Sequence, residues 1–190
     1  MKKLLIINGS PRKKGCDARV CDEISALASK YGYESETIWA YDLQIGGCRA
    51  CMACKSTQKC VQKDGMNEIL DRIRASDMLV FATPVYFNGE TGPMKTFLDR
   101  MYPLMRMNPD RTVESFIGNV KKAAIVVCCG APDGNMKYAS IVTKFINVLK
   151  MFNVTDVSGA VIPSGNPDTV LDSSFCRGCL SQIEFQLQME

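Results

Sequence analysis

Five strand-like segments alternate along this chain with segments whose apolar residues recur every three or four positions, the spacing of a helix face. The strand-like segments lie at residues 4–7, 34–41, 78–82, 123–129 and 154–162. Several of them are apolar at consecutive positions, which indicates strands that are covered on both faces. The pattern predicts an α/β fold in which a five-stranded parallel sheet carries helices on both faces.

The length of 190 residues fits one domain, and we expect residues 1–190 to form it. Residues 46–63 interrupt the alternation after the second strand, because they show no periodicity and contain four cysteines. We therefore treat this segment as a cysteine-rich insert.

Composition excludes several classes of function. The chain has no histidine, which rules out Ser-His-Asp hydrolysis, Cys-His proteolysis and histidine-ligated zinc within it. A formal net charge of +3 without a long Lys/Arg block argues against binding to nucleic acid or to a membrane surface. The longest apolar run, 123–129, is far shorter than the roughly 20 residues of a membrane span.

The sequence also predicts where in the cell the protein is found. Lys2 and Lys3 precede only four apolar residues, too few for a signal peptide, so we expect a cytoplasmic protein. In that reducing environment the ten cysteines are better explained as metal ligands or redox groups than as a disulfide framework.

Two strand-to-helix loops have the chemistry of a nucleotide site, and such loops meet at one edge of a parallel sheet. Residues 9–15 lead into the start of a helix, whose free N–H groups suit a phosphate. Ser10 adds a hydroxyl donor and Arg12 a guanidinium that can donate two hydrogen bonds, while Gly15 lets the backbone approach the phosphate closely. Residues 83–89 contain Tyr86 and Phe87, which suit a flat ring. The alternatives are an exposed basic turn and aromatics that belong to the core or to an oligomer contact.

The motifs NGSPR at 8–12, TPVYF at 83–87 and MKTFLDR at 94–100 resemble those of the NADPH-dependent FMN reductases. With the cysteine insert, the chain is most similar to the iron–sulfur flavoproteins within that group. The resemblance covers residues 1–165 and implies a flavodoxin-like fold, bound FMN and a homodimer or homotetramer. It also implies an oxidoreductase that passes electrons from NAD(P)H or a ferredoxin-like donor to a small-molecule or protein acceptor.

The resemblance also implies which residues hold FMN, and it requires no catalytic side chain because the flavin N5 does the chemistry. Six of these residues would hold the phosphate: Ser10, Arg12, Lys14, Gly15, Cys16 and Asp17. Five would hold the isoalloxazine ring: Pro84, Val85, Tyr86, Phe87 and Asn88. Three would line the other side of the ring: Gly130, Ala131 and Asp133. Cys129 is a further residue that could approach the flavin.

One pair of residues departs from the family pattern. Cys16 and Asp17 stand where members of the family often have Asn-Thr after the glycine. The change removes two phosphate donors and adds a carboxylate near a dianion, unless Asp17 points away or caps the helix. We therefore expect FMN to bind more weakly than is typical.

The insert contains Cys48, Cys51, Cys54 and Cys60 in the spacing C-x2-C-x2-C-x5-C. Thiolates this close in sequence can surround one compact cluster, and the resemblance implies a [4Fe–4S] centre. Such a cluster is sensitive to oxygen and can be lost on aerobic purification. Two alternatives remain: a zinc site completed by Cys176 and Cys179, and a loop of free thiols.

Three other functions remain open beside a cluster-containing FMN oxidoreductase. One is an NAD(P)H-dependent FMN or quinone reductase without a cluster. The second is an electron carrier or redox sensor that turns over no substrate of its own. The third is a zinc-stabilised binding module.

Overall fold

A computed structural model describes residues 1–189 of the chain. The strands are β1 (Lys2–Asn8), β2 (Tyr33–Trp39), β3 (Met78–Pro84), β4 (Met105–Met107), β5 (Val113–Ser115), β6 (Lys122–Cys129) and β7 (Asp156–Pro163). The helices are α1 (Cys16–Lys30), α2 (Cys54–Thr57), α3 (Met66–Arg74), α4 (Gly92–Arg100), α5 (Gly134–Lys137), α6 (Ala139–Met151) and α7 (Ser174–Gln188). Short 3-10 turns lie at Ala40–Asp42, Tyr102–Leu104 and Val170–Asp172.

The five predicted strands form one parallel sheet in the order β2-β1-β3-β6-β7. This is the flavodoxin-like order, so the predicted fold class is confirmed. At the carboxyl end of β1, Asn8 pairs with Trp39 on one side and with Ala82 on the other. The strand order reverses there, and such a switch point opens a crevice for a ligand.

Alternate residues of the buried strands face two separate cores, which explains why these strands are apolar at consecutive positions. One face of the sheet packs against apolar residues of α3, α4 and α6, and the other packs against α1 and α7. Leu5, Leu79 and Ile125 face the first core, whereas Leu4, Val80 and Val126 face the second. The sheet is therefore the rigid middle layer that fixes the loops at its edge.

The sequence did not predict the two-stranded antiparallel sheet of β4 and β5. Each strand has three residues, too few for apolar alternation to be visible. The hairpin follows the 3-10 turn Tyr102–Leu104, and the N–H of Phe116 donates to the carbonyl of Leu104 at 2.7 Å.

Cys176 and Cys179 are buried on α7, within the core that this helix shares with α1. Both side chains are therefore packing residues of this core. Within residues 1–189, no helix combines the length and the apolar character that crossing a bilayer requires.

Candidate active site

A cavity of about 520 Å³ lies at the carboxyl ends of β1, β3, β6 and β7. Ligand pockets commonly enclose roughly 300–1,000 Å³, so the cavity can hold a nucleotide-sized molecule. It is lined by Ser10, Arg12, Lys14, Gly15, Cys16, Asp17, Pro84, Val85, Tyr86, Cys128, Cys129, Gly130, Ser164, Gly165 and Pro167.

The turn after β1 is held in shape by its own hydrogen bonds. The N–H of Ser10 donates to Oδ1 of Asn8 at 2.9 Å, and the N–H of Arg12 donates to Oγ of Ser10 at 3.2 Å. The N–H of Gly15 then donates to the carbonyl of Arg12 at 3.1 Å. Since Oγ of Ser10 accepts a bond inside the turn, its own proton stays available to a ligand.

The start of α1 presents unused donors to the same cavity. Gly15 is the N-cap and supplies no side-chain hydrogen bond, so the first N–H groups of the helix keep their donor capacity. A β-carbon on Gly15 would lie 3.1 Å from the β-carbon of Arg12, which shows how tightly the turn closes. This arrangement of free N–H groups at the positive end of a helix is suited to a phosphate.

Asp17 lies in the first turn of α1 and is buried, with 3% of its surface exposed. Burial raises the pKa of Asp17 to about 7, and its interaction with the Cys128 thiol lowers that value only in part. Among residues 1–189, Oδ1 of Asp17 has no hydrogen-bond partner. The carboxyl group is therefore close to half protonated at neutral pH, which reduces its repulsion of an anion.

Two further thiols line the cavity beside Asp17. Sγ of Cys16 donates to the carbonyl of Ser164 at 3.3 Å and thus connects α1 to the loop after β7. Burial, together with the charge of Asp17, raises the pKa of Cys16 and that of Cys128. Both thiols are protonated at neutral pH and act as uncharged lining.

The loop after β3 forms a tight two-residue turn. Tyr86 and Gly89 exchange backbone hydrogen bonds of 2.9 and 3.0 Å, and the intervening Phe87 and Asn88 have φ values of +45° and +63°. These are the left-handed conformations of a type I′ turn. The turn leaves Phe87 fully exposed and Tyr86 largely exposed, so neither aromatic belongs to the core of this chain.

Ten of the fourteen residues predicted for the FMN site line the cavity, and Phe87, Asn88, Ala131 and Asp133 do not. Phe87 and Asn88 form the tip of their turn, while Ala131 and Asp133 lie in the turn that leads to α5. Cys128 and the loop residues Ser164, Gly165 and Pro167 also line the cavity and were not predicted from the sequence. The turn-forming sequence SGNP directly after the fifth strand was the available signal.

The four insert cysteines line one small cavity of about 20 Å³, together with Arg100. Between successive cysteines the backbone enters the left-handed region once each time, at Ala50, Met52 and Gln58. These reversals turn the chain back on itself, so that four cysteines separated in sequence line the same cavity. Cys48 and Cys51 are exposed, and Cys54 and Cys60 are half-buried.

Several side chains fix the cysteine loop, residues 46–64, to the body of the protein. Asn67 on α3 bonds both the N–H and the carbonyl of Cys60, each at 2.8 Å. Nζ of Lys55 donates to the carbonyls of Tyr102 and Met105 at 2.8 and 2.6 Å. A hydrogen bond from Arg100 lowers the pKa of Asp64, at the end of the loop, to about 2.

Within residues 1–189, no group of three or more Cys, Asp or Glu side chains is gathered closely enough to hold a single metal ion. The donor set still suits an iron–sulfur cluster, because four cysteines line one cavity and each iron of a [4Fe–4S] cluster takes one thiolate. A cavity of 20 Å³ has room for about one water, so the loop must widen to admit a cluster.

The structure separates the two groups of cysteines that a zinc site would need to combine. The cysteine loop lies beside α4, on the face of the sheet opposite to α7 with Cys176 and Cys179. A zinc site built from both groups is therefore excluded.

Comparison with known proteins gives a family. Residues 2–164 match the sequence model of the NADPH-dependent FMN reductases. That match covers β1 to β7 and every residue that lines the 520 Å³ cavity except Gly165 and Pro167.

Curated relatives include two iron–sulfur flavoproteins of Archaeoglobus fulgidus. One is 37% identical over 101 residues, which are 53% of this chain and 46% of the relative. The other is 34% identical over 139 residues, which are 73% of this chain and 65% of the relative. The chain thus spans less than two thirds of the length of each of these relatives.

Among solved structures, the FMN-dependent NADH-azoreductase of Bacillus anthracis in complex with FMN superimposes with a TM-score of 0.72. The superposition covers 98% of each chain at 13% sequence identity. At that identity the likeness establishes the fold.

Proposed function

The chain belongs to the NADPH-dependent FMN reductase family, and from this we propose that it is an FMN-dependent oxidoreductase whose cysteine loop holds a [4Fe–4S] cluster. The observation that carries the proposal is the 520 Å³ cavity at the strand-order switch point, with an uncapped helix start at one end. Relatives named iron–sulfur flavoproteins support the second half of the proposal.

The turn after β1 would hold the FMN phosphate. Free N–H groups at the start of α1, the Ser10 hydroxyl and the Arg12 guanidinium can each donate to it. Lys14 adds a second positive charge at the rim. Asp17 opposes these groups only in its ionised form, so its raised pKa limits the loss of affinity that the sequence suggested.

The turn after β3 and the loop after β6 would enclose the flavin ring. Pro84, Val85 and Tyr86 line one side of the cavity, and Gly130 lines another. Cys129, also in the lining, is a protonated thiol because burial raises its pKa. This apolar, uncharged lining excludes water from the ring without placing a charge against it.

When bound, FMN supplies one- and two-electron chemistry and a [4Fe–4S] cluster supplies one-electron transfer, which together convert two-electron reactions into single-electron steps. Cys48, Cys51, Cys54 and Cys60 would be the ligands. We further propose NAD(P)H or a ferredoxin-like protein as donor, a small-molecule or protein acceptor, a homo-oligomeric state and a cytoplasmic location.

A comparison of FMN with riboflavin tests the phosphate end of the FMN site. Arg12→Ala should weaken FMN binding about tenfold, the effect of one charge-assisted hydrogen bond, and should leave riboflavin binding unchanged because riboflavin has no phosphate. Lys13→Ala is the control, since Lys13 stacks on Trp39 and pairs with Asp42 outside the cavity. Equal losses for FMN and riboflavin in a fluorescence titration would contradict the phosphate assignment.

Turnover distinguishes an enzyme from a carrier. FMN-loaded protein should oxidise NADPH or NADH steadily when a flavin or quinone acceptor is present. Reduction that stops after one equivalent with every donor and acceptor tried would instead favour the electron carrier. Full turnover by protein that holds no iron would favour the reductase without a cluster.

A further inference from the structure

The side chain of Arg100, at the end of α4, is fully buried beneath the cysteine loop, with 1% of its surface exposed. A guanidinium group carries a full positive charge and five N–H donors, so it is buried only where other groups replace its contacts with water. Its partners therefore indicate what the buried charge does.

The partners of Arg100 lie at both ends of the cysteine loop. Nη1 donates to the carbonyl of Gly46 at 2.7 Å and to Oδ2 of Asp64 at 2.6 Å, and Nη2 donates to Oδ1 of Asp64 at 2.8 Å. Oδ2 of Asp64 also accepts from the N–H of Gly46 at 3.2 Å. One guanidinium thus connects Gly46, at the start of the cysteine loop, to Asp64, at its end.

Arg100 also contacts one of the proposed ligands directly. Its Nη2 donates to Sγ of Cys60 at 3.3 Å. Its Nε is buried and finds no hydrogen-bond partner in the described part of the chain, although Arg100 lines the cavity that the four cysteines share. A buried donor left unused beside a cavity that four cysteines line indicates that a further acceptor belongs in this space.

We propose that Arg100 is a positioning residue for the cluster: it holds the loop 46–64 closed through Asp64, and its Nη2 donates a hydrogen bond to the thiolate of Cys60. The inference rests on the proposed function, since it concerns the same cysteine site. It assigns Arg100, the last residue of the MKTFLDR motif, to the cysteine loop and not to the FMN cavity.

The role has an electrostatic consequence. Reduction adds one negative charge to the cluster, and a buried positive charge with a hydrogen bond to a ligand sulfur favours the reduced form. Arg100→Gln should therefore shift the reduction equilibrium about tenfold toward the oxidised form, which lowers the potential by about 59 mV for one electron. Arg100→Lys should give a smaller shift of the same sign, because it keeps the charge and loses the fork.

The experiment compares anaerobically reconstituted wild type with Arg100→Gln, Arg100→Lys and a control, Arg74→Gln. Arg74 also holds the loop, through Nη2 to the carbonyl of Gln58 at 2.8 Å, but it contacts none of the four cysteines. The readouts are the cluster potential, followed by electron paramagnetic resonance, and amide hydrogen exchange of residues 46–64 in iron-free protein. We expect a lower potential only in the Arg100 variants, and exchange at least several-fold faster in Arg100→Gln than in wild type.

The outcomes separate the inference from the function. If wild type takes up no iron, the cluster proposal fails, and the positioning role of Arg100 fails with it. If wild type holds the cluster while Arg100→Gln retains the wild-type potential and exchange rates, the inference is wrong and the function stands. Should Arg100→Gln fail to fold, as judged by loss of FMN binding, Arg100→Lys decides, and a wild-type potential in that variant overturns the inference.

Discussion

At the scale of single residues, Asp17 shows how burial changes the charge that a side chain carries at neutral pH. In the sequence it is a carboxylate close to a predicted phosphate site, which suggests weak FMN binding. In the structure it is buried at the start of α1 with one unpaired oxygen, and burial raises its pKa to about 7. Its effect on both stability and binding must therefore depend on pH.

We predict that Asp17→Asn removes a pH dependence of stability. The folded-state pKa of about 7 exceeds the ordinary value of 3.8, so the folded protein binds more protons between these values, and its free energy of unfolding falls as the pH rises from about 4 to about 7. The full effect is at most roughly 4 kcal/mol. Urea unfolding of both FMN-free proteins at pH 4.5, 6 and 8 measures it, and parallel pH profiles would contradict the assignment.

At the scale of elements, the contact between β6, β7 and α6 leaves no space at Gly159. A β-carbon there would lie 2.7 Å from Cγ1 of Val142 on α6 and 3.1 Å from the β-carbon of Ile125 on β6. At Gly178, on the exposed side of α7, such a β-carbon would have no atom of residues 1–189 within 4 Å apart from its chain neighbours and the nearby backbone of its own helix. The two glycines therefore differ in what an added methyl group meets.

Gly159→Ala should destabilise the protein by about 1–3 kcal/mol, since the methyl group overpacks the core. Gly178→Ala should stabilise it by about 0.5–1 kcal/mol, since alanine is the better helix residue and the site has room. Thermal or chemical unfolding of the two variants against wild type gives both signs. A Gly159→Ala protein as stable as wild type would show that β7 and α6 are less closely packed than described.

The strands and the loops differ in how well the sequence predicts them. The buried strands were recognisable because both cores require apolar residues at consecutive positions, as in 78–82 and 123–129. The hairpin of β4 and β5 and the cavity loop after β7 were not, because three-residue strands and turns have no period to detect. Arg100 was also missed as a residue of the cysteine loop, since its partners are 36 to 54 positions away.

At the scale of the whole molecule, the ten cysteines fall into two groups. The four in the loop are exposed or half-buried, and the other six are buried: Cys16, Cys21, Cys128, Cys129, Cys176 and Cys179. Burial raises the pKa of each of the six thiols, so little of the reactive thiolate forms there.

Alkylation should therefore divide the cysteines in the same way. Iron-free protein treated briefly with iodoacetamide at pH 8 should be modified at the loop cysteines, first at the exposed Cys48 and Cys51, while the six buried cysteines remain unmodified. Anaerobic reconstitution with iron and sulfide should protect the four. Peptide mass spectrometry reads both results, and early modification of Cys176 or Cys179 would contradict the described packing of α7.

We propose that one chain carries both FMN, at the edge of its sheet, and an iron–sulfur cluster, in its cysteine loop. Anaerobic purification, followed by an absorption spectrum with flavin, iron and sulfide analysis, tests it most directly. We predict a flavin spectrum with about one FMN and about four irons and four sulfides per chain. Freshly prepared protein that neither contains FMN nor takes it up would contradict the account, and flavin without iron would contradict its second half.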